Sequence, residues 1–464
     1  MSGRQYLEPI PKDKRLYGTV TFSWMMFSLN VCIPLFLLGT IGYNLRLNLL
    51  EVAVGALLGN LATVVLMILN GIPGVKYGIP YPIQLRASWG VRGSHIPVIL
   101  RGIVGAGWYG IEAYSASLAI VMIALYTVGY GGGDPSIIVQ SSFRYVVLAL
   151  AVYVVLAVAI VARGLRTIAR FVNVSGPLLL LYFIWLTTYL GRHGAVNVTV
   201  PSGVGFLSKE FILYLVVQTN FWATICLNIS DLSRGLYAGK RGLRALTIGS
   251  MLGIVVTSIV ASLLGYYMAL YTGYSTPQEI ILYTAPGFIA VILGQIFAFA
   301  APFSTDITAN IPALMNVIVY SLRVGKDVYK LALAALIGFI LAPWWAVEKG
   351  PDVVNYVTLF TANYGLLLGP IAGIMLADYY LVKRGNYDIE KLYSNDSGSY
   401  WYRNGFNYAA ILTYISSIAG IYLFSYVVGD VTNVGPLVFP TSLSWYLGVA
   451  LAAILYPLFT KIFK

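Results

Sequence analysis

Apolar runs of helical length, separated by short polar punctuation, recur along the whole chain. Three of them are free of charge: residues 145–162 between Arg144 and Arg163, 245–278 between Arg244 and Glu279, and 404–429 between Arg403 and Asp430. Each matches the about 17–25 residues that a helix needs to cross the hydrocarbon of a bilayer. Reading these runs between their polar boundaries predicts twelve spans, at 20–43, 49–71, 95–126, 145–163, 168–190, 207–229, 245–272, 286–322, 328–346, 354–381, 407–429 and 442–460. The runs are continuously apolar over more than 15 residues, whereas barrel strands alternate over about 10, so a transmembrane barrel is excluded.

Composition agrees. The 464 residues are 59% hydrophobic and 10% charged, against about 25% charge in soluble domains. A soluble enzyme, a disordered chain and a disulfide scaffold are set aside, and the two cysteines, Cys32 and Cys226, lie in apolar segments. The net charge of +12 would suggest a nucleic-acid partner in a soluble protein, but its distribution follows the spans. With the N-terminus inside, 23 of the 29 Lys and Arg fall on the inner side, five on the outer side, and Arg101 inside the third span. That asymmetry orients a membrane protein with both termini in the cytoplasm and needs no nucleic acid. Residues 1–19 are polar and lack an apolar core, so they are expected to form a cytoplasmic tail and not a signal peptide. Residues 382–406 form the longest polar connection, expected to be a solvated cytoplasmic loop.

Two of the 17 acids, Glu112 in the third span and Asp306 in the eighth, lie deep in apolar sequence. A carboxylate in hydrocarbon is expensive unless it meets a partner or a cavity, which marks both as candidate functional groups; a protonated acid bonded between helices is the structural alternative. Trp108 stands one helical turn before Glu112 and shares its face. An indole face beside a carboxylate suits a flat ligand with N–H donors, and Trp222 in the sixth span could supply the second face of a sandwich. Asn30 and Pro34 interrupt the first span, while Thr219, Asn220, Thr224 and Asn228 interrupt the sixth. Breaks at corresponding positions of two five-span halves point to a transporter of inverted repeats with its site at mid-membrane. Around Asp306 the polar groups are Ser304, Thr305, Thr308 and Asn310, an oxygen-rich set that suits a small hard cation such as sodium better than a transition metal.

Four segments carry a resemblance to a known family: RASWGVRGSHIPVILRGIVGAGWYGIEAY at 86–114, FWATICLNISDLSR at 221–234, FSTDITAN at 303–310 and GPIAGIMLADYYLVKRGNYDIEKLY at 369–393. They resemble the nucleobase:cation symporter-1 family, the permeases for cytosine and purines, uracil, thiamine and allantoin. The resemblance implies an all-α, leucine-transporter-like fold with two inverted five-helix repeats, at 20–190 and 191–381, followed by the loop 382–406 and two C-terminal helices at 407–464. It implies that Trp108 and Trp222 sandwich the substrate ring and that Asn310 hydrogen-bonds it. It further implies that sodium is held by the hydroxyls of Ser304 and Thr305 with carbonyls of Asn30, Ile33 and Ala301. Three positions depart from the family pattern: Glu112 stands for a usual Gln, Phe221 for a Gly beside the sixth-span Trp, and Asp306 for an Asn. These place Glu112 and Phe221 in the substrate pocket and leave proton coupling through Glu112 or Asp306 open. The expectation is a multi-pass carrier of the cell membrane, acting as a monomer among membrane lipids. It is expected to import a nucleobase-like heterocycle with sodium rather than protons, and to need no other cofactor. A proton-coupled carrier of a vitamin-like heterocycle such as thiamine is the alternative, and a polytopic membrane enzyme the distant one.

Overall fold

The computed structural model describes residues 6–129, 143–162, 165–193, 199–324, 357–358, 360–361, 363–394, 398–429, 431–434, 437–440 and 443–463. Among the described residues, nine helices are long and apolar enough to cross a membrane, and one bent pair makes a tenth. Together with a shorter apolar helix, Phe143–Ala162, the spans besides the bent pair run Leu49–Tyr77, His95–Thr127, Leu165–His193, Lys209–Asn228, Lys240–Thr272, Gly287–Ser321, Gly365–Val382, Tyr408–Val428 and Ser444–Ile462. These are spans 2 to 8 and 10 to 12 of the sequence pattern; the ninth expected span, 328–346, and the start of the tenth lie outside the described residues.

Span 1 is the bent pair, Thr19–Asn30 and Ile33–Asn44, with its halves at 61°. Val31 and Cys32 between them are extended, and Pro34 sits in the first turn of the second half, where a missing N–H costs nothing. Such a break survives in hydrocarbon only if its polar groups find protein partners. Asn30 supplies some of them by donating to the carbonyls of Gly253 and Ile254, 2.8 and 3.2 Å away, and to Ser258, all on span 7. Span 6 breaks at Trp222, between Lys209–Phe221 and Ala223–Asn228. The carbonyls on either side of it are taken up by Tyr364, which donates to Asn220, and by Arg101 of span 3, which donates to Thr224 at 2.8 Å. Span 1 is thus tied to span 7, and the span 6 break to spans 3 and 10.

Close backbone approach makes the first of these pairings possible. A Cβ on Gly39 would stand 2.0 Å from the Ser262 carbonyl oxygen, and one on Gly265 2.0 Å from that of Phe36, so the spans cross backbone to backbone, as small residues allow in membranes. Spans 3 and 8 pack against each other, and spans 10, 11 and 12 pack together, with span 10 also reaching spans 2, 3 and 6.

Three features depart from the sequence pattern. Residues 81–89, read as part of a loop, form a buried helix, Tyr81–Trp89, opened by a Pro at its start. A short antiparallel hairpin, Val431–Val434 with Leu437–Pro440, joins spans 11 and 12, where no strand was expected in an all-α chain. The 382–406 connection is not simply solvated: Tyr387, Leu392 and Tyr400 are buried, and Lys76 and Arg86 bind the carbonyls of Gly385 and Leu392. Its aromatic side chains give it apolar area to bury, which the count of charges did not register.

Candidate functional site

Residues 101, 105, 108 and 112 of span 3 recur at intervals of four, three and four, so they lie on one face of the helix. That face meets both sides of the span 6 break and the middle of span 8. The cleft between them is nearly filled by its own side chains, with about 10 Å³ of free room, and is lined by Trp108, Glu112, Phe221, Trp222, Thr224, Thr305, Ala309 and Asn310. Six of these eight were expected at the site from the sequence: Trp108, Glu112, Phe221, Trp222, Thr305 and Asn310. Thr224 and Ala309 were not expected as lining residues.

Phe221 lies against both indoles. Its ring stands 4.9 Å from Trp108 at 73° and 5.1 Å from Trp222 at 79°, an edge-to-face pair on each side. Trp108 is also met edge-on by Phe360 and Tyr364 of the span 10 region, at 5.6 and 6.4 Å. The two tryptophans therefore do not stack on each other; a phenyl ring wedges between them.

Glu112 is 1% exposed, and one of its carboxyl oxygens has no hydrogen-bond partner. The thiol of Cys32, in the span 1 break, lies against the same carboxyl group. The indole nitrogen of Trp222 is likewise buried and unpaired. The indole nitrogen of Trp108 is unpaired too; a buried polar atom without a partner costs about 1–3 kcal/mol, so this pocket holds one acceptor and two donors that a ligand would satisfy.

Span 8 changes its winding at the site: Asp306–Asn310 is a turn of π-helix, an irregularity often found at functional positions. Directly before it, Ser304 donates to the Ser28 carbonyl and Thr305 to the Leu29 carbonyl, both at 2.8 Å. Hydroxyls of span 8 and carbonyls from the end of the first half of span 1 thus form one seam. The three residues expected to add carbonyl ligands lie in the turns beside this seam. Asn30 turns its side chain to span 7, and Ile33 and Ala301 are fully buried in adjoining turns, while Ser28 and Leu29, which no residue pattern singled out, supply the oxygens that the hydroxyls reach. Oxygen ligands of this kind fit a hard cation.

Asp306 does not line the cleft but stands behind it. It is fully buried, and both its oxygens accept, one from the Tyr153 hydroxyl at 2.6 Å and one from Asn310 Nδ2 at 2.8 Å. Tyr153 stacks on Phe303 with ring centroids 4.1 Å apart. Arg101 is 1% exposed and donates to the Thr224 carbonyl at 2.8 Å, to Asn228 at 3.0 Å and to the Ala309 carbonyl at 3.4 Å. Its guanidinium ties span 3 to two lining residues on spans 6 and 8.

With the geometry described, comparisons with known proteins can be placed on it. The family described as "Permease for cytosine/purines, uracil, thiamine, allantoin" matches residues 9–448. Similar proteins include the purine-uracil permease NCS1 of Arabidopsis thaliana, 28% identical over 89% of this chain and 69% of the relative. The putative allantoin permease of Escherichia coli is 27% identical over 90% of this chain and 86% of the relative. The allantoin permease of Bacillus subtilis is 26% identical over 97% and 91%. Among solved structures, the transporter Mhp1 of the nucleobase-cation-symport-1 family, in a closed conformation with bromovinylhydantoin bound, superposes with a TM-score of 0.80 at 21% identity, covering 98% of this chain and 94% of that one. Its inward-facing conformation gives 0.79 at 20% identity, covering 98% and 93%. The fold is therefore leucine-transporter-like.

Proposed function

Because this chain belongs to the family of permeases for cytosine/purines, uracil, thiamine and allantoin, we propose that it is a secondary active carrier that brings a planar N-heterocycle of nucleobase type across the cell membrane together with sodium. It is a multi-span membrane transporter and not an enzyme. In this reading residues 20–190 and 191–381 are the two inverted halves, 407–464 the terminal pair of helices, and both termini with the 382–406 loop lie in the cytoplasm, as the basic residues of that face suggest.

One observation carries the reading: Thr305 belongs to two sites at once, lining the aromatic cleft and donating its hydroxyl to Leu29 across the seam. Sodium would be held between the hydroxyls of Ser304 and Thr305 and the carbonyls of span 1, with Ser28 and Leu29 facing them and Asn30, Ile33 and Ala301 in the adjoining turns. Closing that seam joins span 1 to span 8. A cation that binds the joined arrangement more tightly than the parted one shifts the population toward it, and only by its difference in affinity. The joined seam fixes Thr305 in the cleft wall, where Trp108, Trp222, Glu112 and Asn310 receive the ring. Occupation of both sites then favours occlusion and exchange of access between the two faces.

A second reading rests on the two buried carboxylates. Glu112 and Asp306 could carry a proton in place of sodium, with a vitamin-like heterocycle such as thiamine as cargo. Uptake into proteoliposomes separates the readings. A panel of uracil, cytosine, adenine, guanine, hypoxanthine, allantoin, hydantoin and thiamine is offered under an imposed sodium or proton gradient, and the accumulated label is analysed. The proposal expects a chemically unchanged nucleobase-type compound driven by sodium. Uptake driven by protons alone favours the second reading, and a chemically altered label contradicts both.

A further inference from the structure

Asn310 is one of the two amide- or carboxyl-bearing residues in the cleft wall, and what it offers a ligand depends on which way its amide faces. Its Nδ2 is committed to Asp306 Oδ1 at 2.8 Å. The other oxygen of Asp306 accepts from the Tyr153 hydroxyl at 2.6 Å, so the carboxyl group is clamped from span 4 as well. A carboxylate only accepts; an amide beside it turns its NH₂ toward it and its oxygen away. Asp306 and Asn310 lie within a single turn of π-helix, which keeps the two side chains on one side of the span. The end of Asn310 left for the cleft is therefore its carbonyl oxygen.

The opposite wall presents the same polarity. Glu112 has an unpaired carboxyl oxygen, and the unpaired donors nearby are the indole N–H groups of Trp108 and Trp222. We propose, building on the carrier function above, that Asp306 is a positioning residue which fixes Asn310 as an acceptor. The cleft then selects rings that carry an exocyclic NH₂ besides a ring N–H, as in aminopurines and aminopyrimidines, over imide rings such as uracil or hydantoin, in which every ring N–H has a carbonyl beside it. An imide carbonyl set against Asn310 Oδ1 would bring two acceptors together and leave both without a hydrogen. Sites built to hydrogen-bond a substrate group discriminate strongly against analogues that cannot supply it.

The test is competition binding to the purified carrier with 2-aminopurine, guanine and cytosine on one side and uracil and hydantoin on the other. The wild type is expected to favour the amino-bearing rings by tenfold or more. Asp306→Asn can donate to the Asn310 oxygen, which frees the Asn310 NH₂ to face the cleft; the preference is expected to shrink at least tenfold. In an Asn310→Ala background the same Asp306→Asn change is expected to leave the ranking alone. A wild type that prefers imide rings overturns the inference without any variant. So does an Asp306→Asn protein that weakens all ligands equally, or one whose altered ranking persists in the Asn310→Ala background. A wild type that binds no planar N-heterocycle overturns the carrier reading itself, and the inference with it.

Discussion

The hydroxyl of Thr305 donates to the carbonyl of Leu29 at 2.8 Å, so a residue of the aromatic cleft is bonded to the end of a broken helix. A single side chain thereby joins the place where a ring would sit to the place where a cation would sit.

If that seam holds the coupling ion, removing its hydroxyls uncouples the two ligands. The double change Ser304→Ala and Thr305→Ala removes both hydroxyls, and because Thr305 also lines the cleft, the variant's own affinity in sodium-free buffer is the reference for its sodium response. The enhancement by sodium, about 5- to 150-fold for coupling of about 1–3 kcal/mol, should disappear. Titration of substrate affinity against sodium concentration checks it; a retained sodium dependence refutes the site.

Stacking makes its own demand. Trp222→Ala removes one indole face, and base–aromatic stacking is worth about 1–3 kcal/mol by alanine substitution. Affinity for the preferred ring should fall by a corresponding factor in equilibrium binding, with Trp222→Phe recovering part of the loss. An unchanged dissociation constant would place the ring elsewhere.

The wedge between the indoles limits size. Phe221 touches Trp108 and Trp222 edge-on, and Phe221→Ala should open room beside them. Binding of two-ring heterocycles should improve relative to one-ring compounds by roughly tenfold, within the about 1–3 kcal/mol that a pocket change of this size controls. Equal effects on both classes, measured by competition, would mean that Phe221 does not bound the pocket.

Arg101 holds the cleft wall through the carbonyls of Thr224 and Ala309. Arg101→Met keeps the apolar bulk but leaves two buried carbonyls short of a donor, at about 1–3 kcal/mol each. The melting temperature of the purified protein in detergent should drop, and Arg101→Lys should restore it only in part, since an ammonium lacks the fork that reaches both spans. A melting curve identical to that of the parent protein contradicts this role.

Much of the frame was legible before the fold. Gaps between charges located the described spans, because hydrocarbon excludes charge whatever the tertiary structure. The breaks at Asn30 and Pro34, and from Thr219 to Asn228, showed as polar residues in apolar runs. Trp108 and Glu112 could be paired from their spacing alone. Other parts left no local trace. Ser28 and Leu29 act through backbone carbonyls, which every residue has. Tyr153 is one of 36 tyrosines, and its bond to Asp306 spans 153 positions; no feature of its own segment distinguishes it. The helix Tyr81–Trp89 carries one basic residue, Arg86, within buried sequence, and its charge is taken up by Tyr320 and the Leu392 carbonyl.

The central claim, that sodium drives import of a planar heterocycle through this cleft, is tested most directly by accumulation in proteoliposomes loaded with potassium and diluted into sodium. The account predicts that a nucleobase-type substrate rises inside above its outside concentration, and that a sodium ionophore collapses the gradient and the accumulation together. Accumulation to the same level with no sodium gradient would contradict it.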